Sequence, residues 1–186
     1  MESSRFLSGQ LLLAMPGIGD PRFERAVIAM CVHDEAGALG IGLGQLIPRL
    51  HFHDLLRQFE IDPANSPDGP IHLGGPVEPQ RGFILHSPDW GGDESIHVGD
   101  RWVLSATLEI LRAIAEGRGP TRWVVALGYA GWGGGQLEQE MTGNGWFTTP
   151  GSDELIYDCD VASRWESAFK TAGVDPRLLT ADFGTA

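Results

Sequence analysis

The chain has 186 residues, of which 42% are hydrophobic and 20% are charged. This balance is typical of a globular protein and excludes a disordered chain, and the length fits one domain, residues 1–186. The formal net charge is −12, and Lys170 is the only lysine beside twelve arginines. Proteins that bind duplex DNA neutralise roughly 6–10 phosphates with clustered basic side chains. The charge of the chain therefore argues against direct nucleic-acid binding.

The two cysteines, Cys31 and Cys159, are too few for a disulfide framework. Cys31 lies inside the apolar run 26–32, which predicts a buried, reduced thiol and a cytoplasmic protein, with a redox pair as the alternative. No apolar stretch reaches the ~20 residues that a membrane-spanning helix needs. Residues 11–15 are short and end at Pro16, so we interpret them as part of a strand rather than a signal peptide.

Short apolar segments alternate along the chain with Gly- and Pro-rich turns, which predicts several strands and a few helices. Asp34-Glu35-Ala36-Gly37 predicts a hairpin turn. Asp54 is expected to cap a helix, and Ser105 another that ends at Gly117. The predicted elements are strand 10–15, strand 26–33, strand 38–43, helix 52–59, strand 71–73, strand 82–86, a helix after Ser105 to about 116, strand 122–128, helix 136–142, strand 146–148, strand 155–157 and helix 162–172.

This order begins with a hairpin and continues with strands joined by helices. It predicts an α/β protein of the α+β type, in which helices pack on one mixed β-sheet. No internal repeat and no linker divides the chain.

The most distinctive segment is the glycine-rich stretch 128–138, expected to form a loop between a strand and a helix. Such a loop suits an anion, because backbone N–H groups meet the positive end of the helix dipole. However, the Lys-Ser/Thr of a P-loop and the Rossmann glycine spacing are both absent. A tight turn with Trp132 packed beneath it is the preferred interpretation, with phosphate binding as the alternative.

Other patterns give weaker signals for chemistry. The glycines at 37, 40, 42 and 44 do not match dinucleotide-binding spacing, and His51-Phe52-His53-Asp54 lacks the further ligands of a zinc motif. There is no Gly-x-Ser-x-Gly nucleophile elbow. The sequence therefore predicts no cofactor, no metal site and no catalytic residue.

A series of motifs runs in one order from about residue 9 to residue 175. They are Gly9-Gln10-Leu11-Leu12, Ala14-Met15-Pro16, Asp20-Pro21-x-Phe23, Ala26-Val27-Ile28 through His33, Gly37-Ala38-Leu39-Gly40, Gly74-Gly75-Pro76-Val77, Arg81-Gly82-Phe83-Ile84-Leu85-His86, Leu127-Gly128-Tyr129-Ala130-Gly131-Trp132 and Gly135-Gln136-Leu137-Glu138, followed by Asn144 and Trp146. In this series the chain resembles the YqgE/AlgH family of bacterial proteins.

The resemblance implies a compact mixed α/β fold in the bacterial cytosol, with no established activity or cofactor, and a name that refers to transcriptional regulation. The chain departs from the family pattern at two places. Gly44-Gln45-Leu46 replaces an Asn-Arg-Pro, and Gly184-Thr185-Ala186 lacks a histidine. If those positions serve a ligand in the family, this member is expected to bind differently.

Carried over position by position, the resemblance points to a surface that binds a protein or small-molecule partner. Its expected residues are His33, Gly74, Gly75, Pro76, Arg81, His86, Tyr129, Trp132, Gln136 and Glu138. The leading hypothesis is a non-catalytic binding or regulatory protein. The alternative is a hydrolase that uses Glu138 or His86 as a general base. Both depend on segment 129–138 leaving the sheet beside the strand that carries residues 81–86.

Overall fold

Ten strands form one strongly curled sheet in the described part of this computed structural model, residues 6–92 and 94–179. Four α-helices pack against the sheet. The elements are β1 (Gln10–Ala14), β2 (Val27–Asp34), β3 (Gly37–Gly42), β4 (Leu46–His51), α1 (Phe52–Gln58), β5 (Pro70–Leu73), β6 (Val77–His86), β7 (Ile96–Val98), β8 (Trp102–Ser105), α2 (Leu108–Ala115), β9 (Trp123–Gly133), α3 (Gln136–Thr142), β10 (Trp146–Pro150) and α4 (Val161–Thr171).

The long strand β9 joins two halves of the sheet. The strand order is β10-β1-β2-β3-β9-β6-β8-β7, and β4 and β5 attach beside β9. In the first half, β3 pairs with the end of β9. In the second half, β6 and β5 pair with its beginning. The β5–β9 pair is parallel and the others are antiparallel, so the predicted α+β fold with a mixed sheet is confirmed.

Apolar side chains fill three layers. The largest cluster lies inside the curled sheet and includes Trp102 together with Trp165 and Phe169 of α4. A second cluster packs α1 and α2 on the outer face of the second half. A third, which includes Leu137 of α3, covers the outer face of the first half. Burial on both faces explains why most strands are continuous apolar runs rather than strict alternations.

Several local predictions are confirmed. Asp34 pairs with Gly37 across the hairpin, and the Asp34 carboxylate accepts the Ala36 N–H at 2.8 Å. Asp54 accepts the His51 N–H at 3.0 Å at the start of α1, as expected of a cap. Helix α3 has the predicted bounds.

Other local predictions are wrong. Ser105 ends β8, and α2 begins three residues later with Thr107 at the N-cap position. The reason is that a short apolar run such as 102–104 fits a helix and a strand equally well. Residues 155–157 lie in a π-helical turn, not a strand. Strands β4, β7 and β8 were not predicted.

Segment 129–133 also differs from its prediction. It does not leave the sheet but continues β9, where it pairs with β3. The bend comes later, at Gly135, whose φ is +78° immediately before α3. Glycine accounts for this conformation without strain, as expected for a tight turn.

Candidate functional site

Four of the ten candidate residues meet on the outer face of the first half of the sheet: His33, Trp132, Gln136 and Glu138. His33 comes from the end of β2, Trp132 from the end of β9, and the other two from the first turn of α3. Glu138 bonds to Nε2 of His33. Gln136 Oε1 accepts the Gly133 N–H at 3.0 Å. These bonds fasten a seven-residue helix to the sheet.

Hydrogen bonding fixes the tautomer of His33. Its Nδ1 accepts the Leu7 N–H at 2.9 Å, so this nitrogen carries no proton. The proton is therefore on Nε2, which donates to the Glu138 carboxylate. The imidazole is buried, with only 1% of its side chain exposed. Glu138 is thus occupied by a structural partner, which leaves little support for its use as a general base.

Glu140 completes this cluster and was not predicted. Its Oε1 accepts the indole N–H groups of Trp132 at 3.2 Å and Trp146 at 3.0 Å. Its Oε2 accepts the Gln136 side-chain amide at 3.0 Å. The signal in the sequence is the i, i+4 spacing from Gln136, which places both side chains on one face of a helix. We call His33, Trp132, Gln136, Glu138, Glu140 and Trp146 the α3 clamp.

A second group of candidates, Gly74, Gly75 and Pro76, lies where the chain after β5 crosses β9. The Gly74 N–H donates to the Leu127 carbonyl at 2.8 Å, and its carbonyl accepts the Gly42 N–H at 2.7 Å. A Cβ on Gly74 would lie 2.1 Å from the Gly128 carbonyl oxygen. One on Gly75 would lie 2.1 Å from the Tyr129 carbonyl carbon. Side chains are excluded at both positions, so these glycines maintain the crossing.

Beside this crossing is a groove of about 220 Å³, which we call the seam groove. Gly74, Gly75 and Pro76 form part of its wall, and Gly44 and Gln45 form another part. The seam groove therefore joins the Gly74-Gly75-Pro76 motif with Gly44-Gln45, at which a departure from the family pattern is expected. The remaining wall is mostly apolar and consists of Phe23, Ala26, Val27, Ile28, Gly42, Leu73, Pro79 and Ala130, with Arg22.

Tyr129 and Arg81 lie near the crossing but outside the seam groove. The guanidinium of Arg81 lies 5.1 Å from the centre of the Phe83 ring, and this ring packs edge-on against Tyr129. Arg81 also pairs with Glu78 at 3.4 Å, and both side chains are about half exposed. Segment 129–133 is thus beside the start of β6, as its pairing of Tyr129 with Val77 shows.

His86 is separated from the α3 clamp. It ends β6 and pairs with Trp123, whereas Gly133 at the other end of β9 leads into α3. Ten residue steps of strand at ~3.3 Å each separate these ends by up to roughly 33 Å, less the bend of β9 at Gly128. His86 is fully buried, and burial holds its pKa below the ordinary value for histidine. The ten candidates therefore do not line a single pocket.

Sequence reasoning missed a buried cluster of two residues, His72 and Arg164. Arg164 of α4 donates to the carbonyl oxygens of Leu43, Leu155, Ile156 and Cys159 and to Nε2 of His72, over 2.5–3.1 Å. His72 in turn bonds to the Val125 carbonyl at 3.0 Å. We call this cluster the α4 anchor.

No carboxylate bonds to Arg164 within the described residues, and its side chain is buried. Burial lowers the pKa of Arg164. Burial, together with the charge of Arg164, lowers the pKa of His72 to about 4. All five guanidinium N–H groups are used inside the protein, so the anchor offers no donor to a ligand.

Within residues 6–92 and 94–179, no three His, Cys, Asp or Glu side chains come together as metal ligands. In the same part of the chain, no helix has the length and apolar character to cross a membrane. Cys31 is buried, and burial raises the pKa of its thiol to about 12, whereas Cys159 is partly exposed. Gly184-Thr185-Ala186, the second expected departure from the family pattern, lies outside the described residues.

A family model described as AlgH-like matches residues 11–177. The chain belongs to the AlgH-like family. A UPF0301 protein of Rhizorhabdus wittichii is 60% identical over 186 residues, which is 100% of both chains. Another from Sphingopyxis alaskensis is 58% identical and covers 97% of each. The resemblance seen in the sequence motifs is thereby confirmed.

Solved structures agree with this AlgH-like assignment. The solution structure of the AlgH protein from Pseudomonas aeruginosa superposes with a TM-score of 0.77 at 34% identity and covers 97% of this chain and 96% of that one. A crystal structure of a Corynebacterium diphtheriae protein gives 0.75 at 20% identity, covering 94% and 92%, which shows a shared fold alone. None of these names states a ligand or a reaction.

Proposed function

We propose that this AlgH-like protein is a binding protein with a regulatory role, and that its partner inserts an apolar group into the seam groove. The observation that supports this is the composition of the groove wall. The Gly74-Gly75-Pro76 motif and the divergent Gly44-Gln45 come from distant parts of the sequence but line one depression. One wall required by the fold, beside a second wall at which the sequence is expected to depart from the family pattern, suits selection of a partner.

The size and chemistry of the seam groove favour an apolar anchor. Cofactor and drug-sized ligands usually occupy ≈ 300–1,000 Å³, and this groove has about 220 Å³. An apolar side chain of a partner protein, or a small apolar molecule, matches the smaller space. Leu73 is 43% exposed on the wall and would be covered by such an anchor. Among the described residues of the wall there is no nucleophile or general base, which supports binding without catalysis.

Regulation through a protein or small-molecule partner fits the charge of the chain better than contact with DNA. A net charge of −12 repels phosphates, so a mobility-shift assay is expected to show no DNA complex even at low salt. The two cysteines without a disulfide fit the cytoplasm. A DNA complex that weakens steeply as salt is added would contradict this part of the proposal.

Substitution of Leu73 tests the seam groove. Leu73→Glu places a charge on the wall while leaving the buried core unchanged, and Leu178→Glu changes an apolar residue that is 69% exposed elsewhere. Full-length protein with a photo-crosslinking residue at Gln45 would be used to capture the partner from cells. We expect Leu73→Glu to reduce the crosslinked partner at least tenfold and Leu178→Glu to leave it unchanged. Equal yields from both variants would exclude the seam groove as the binding site.

A further inference from the structure

A second groove, of about 260 Å³, lies on the outer face of the second half of the sheet. Its sides are apolar residues of α1 and α2, and its floor is β6. Phe59 and Leu108 at its rim are 44% and 38% exposed. Ser105 at the end of β8 is 2% exposed and reaches this groove from below. Ser105 thus lines a mostly apolar groove that is open to solvent and whose wall also includes Gln80, Arg81 and Thr107.

Ser105 belongs to a chain of hydrogen bonds with a fixed direction. His86 Nδ1 lies 2.8 Å from the Ser87 carbonyl oxygen, which can only accept, so Nδ1 carries the proton. Nε2 is therefore free to accept the Ser105 hydroxyl proton, at 2.8 Å. Ser105 in turn accepts from Ser95, at 2.7 Å, and Ser95 accepts the Gly92 N–H at 3.2 Å.

This arrangement has the three parts of an activated serine: a nucleophile, a base within hydrogen-bond reach, and a group that orients the base. The tautomer of His86 is the one that can remove a proton from serine. The orienting group is the Ser87 backbone carbonyl rather than a carboxylate. A carbonyl fixes the orientation of the ring as a carboxylate does, but it stabilises the protonated ring less than a carboxylate would. Because burial lowers the pKa of His86, the ring is neutral and able to act as a base at neutral pH.

We propose that Ser105 and His86 form a catalytic pair that hydrolyses small esters with short apolar acyl groups. The apolar walls of Leu55, Phe59 and Leu111 would hold the acyl chain, and the limited volume favours short chains. This site is independent of the seam groove, since no residue lines both.

The proposed reaction needs only ester and water. The Ser105 oxygen forms a bond to the acyl carbon while its proton passes to His86 Nε2. The bond from the acyl carbon to the leaving alcohol then breaks, and His86 returns the proton to that alcohol. Water, deprotonated by His86, attacks the acyl-serine and releases the acid and Ser105.

The developing negative charge on the acyl oxygen has a nearby source of stabilisation. Helix α2 begins at Leu108, and the side chain of its N-cap residue Thr107 makes no capping hydrogen bond. Ala106, Thr107 and Leu108 line the same groove as Ser105. The first-turn N–H groups of α2 are thus not capped by the Thr107 side chain and lie next to the proposed nucleophile.

A fluorophosphonate probe, which forms a covalent bond with activated serines, tests the proposal directly. We expect one probe per folded full-length chain, lost when the protein is heat-denatured beforehand. Trypsin should cut after Arg101 and Arg112, and the resulting peptide 102–112 contains one serine, Ser105. The adduct is expected on this peptide. An adduct on the peptide with Ser87 and Ser95, or no adduct on folded protein, would overturn the proposal.

Kinetic assays with p-nitrophenyl acetate, butyrate and octanoate complete the test. We expect hydrolysis to decline with chain length, and Ser105→Ala and His86→Gln each to reduce kcat/KM by ~100-fold or more. Ser152→Ala is the matched control and should keep the wild-type rate. Activity that persists in Ser105→Ala would exclude Ser105 as the nucleophile. Leu178→Glu, which lines neither groove, should leave hydrolysis unchanged. The seam groove is tested by crosslinking and this site by hydrolysis, so failure of one proposal is distinguishable from failure of the other.

Discussion

Helices α3 and α4 are both fastened to the curled sheet by buried polar side chains, but in opposite ways. In the α3 clamp, carboxylates of the helix accept hydrogen bonds from a histidine and two tryptophans of the strands. In the α4 anchor, a guanidinium of the helix donates to four carbonyl oxygens and a histidine. One attachment carries negative charge near the surface, and the other carries positive charge in the interior.

The difference predicts how much each attachment matters to stability. Glu138 is 32% exposed, so when a residue of the α3 clamp is substituted, water can replace part of the lost hydrogen bonds. Arg164 is 3% exposed, and its acceptors are buried around it. Removal of one partner from a buried network costs far more than removal of a solvated one, because the remaining groups lose their hydrogen bonds without gaining water. The α4 anchor should therefore contribute more to the free energy of unfolding than the α3 clamp does.

The largest expected effect comes from Arg164→Ala. This change leaves four carbonyl oxygens and His72 Nε2 without their donor, which should lower the free energy of unfolding by about 3–5 kcal/mol. Arg164→Lys should lose less, because three N–H groups replace five. Urea unfolding followed by circular dichroism would measure both.

Lys170→Ala on the exposed side of the same helix is the control and should change the free energy of unfolding by less than ~0.5 kcal/mol. A loss below ~1 kcal/mol for Arg164→Ala would mean that water reaches these carbonyl oxygens, and the contrast with the α3 clamp would disappear.

The next effect is a dependence of stability on pH. The pKa of His72 is about 4 in the folded protein and 6.5 for the free side chain. The unfolded chain therefore binds a proton at this histidine more readily than the folded protein does. Neutral His72 makes its full contribution to the free energy of unfolding above about pH 6.5, and this contribution is lost as the pH falls toward 4. The total is on the order of 3 kcal/mol.

Urea unfolding of the wild type and His72→Gln at pH 7, 5.5 and 4.5 would measure the pH-dependent contribution of His72 to stability. Glutamine can accept from Arg164 and donate to Val125 but does not ionise, so its stability should fall less on acidification. His86, whose pKa is also lowered, contributes equally to both proteins and cancels in the comparison. Parallel pH curves for the two proteins would show that His72 is not responsible.

The two attachments also differ in how visible they were in the sequence. Four of the six α3 clamp residues, His33, Trp132, Gln136 and Glu138, were candidates because they belong to motifs of the family resemblance, although they were expected to form a binding surface rather than to attach a helix. Arg164 belongs to none, and a charged residue in a predicted amphipathic helix is usually solvated. Its i, i+4 spacing to the buried Ala168 placed it on the apolar face and was the available signal.

For the fold, local signals were sufficient where turn chemistry or capping fixed the chain, as at residues 34–37 and in α3. They failed for β7 and β8, of three and four residues, because such short runs have no distinct period. The position of His86 relative to Glu138 could not be predicted at all. It depends on β9 running through both halves of the sheet, which is a property of strand pairing rather than of either segment.

The smallest effect expected here concerns Glu140 in the α3 clamp. Glu140→Ala leaves the indole N–H groups of Trp132 and Trp146 without an acceptor, which should cost about 1–3 kcal/mol. Glu140→Gln keeps an acceptor oxygen and should recover more than half of the loss. Since α3 has only seven residues, the loss should appear first as faster amide hydrogen exchange in residues 136–142. If Glu140→Gln were as unstable as Glu140→Ala, the charge of Glu140 rather than its hydrogen bonds would hold α3, and the two attachments would be electrostatic counterparts.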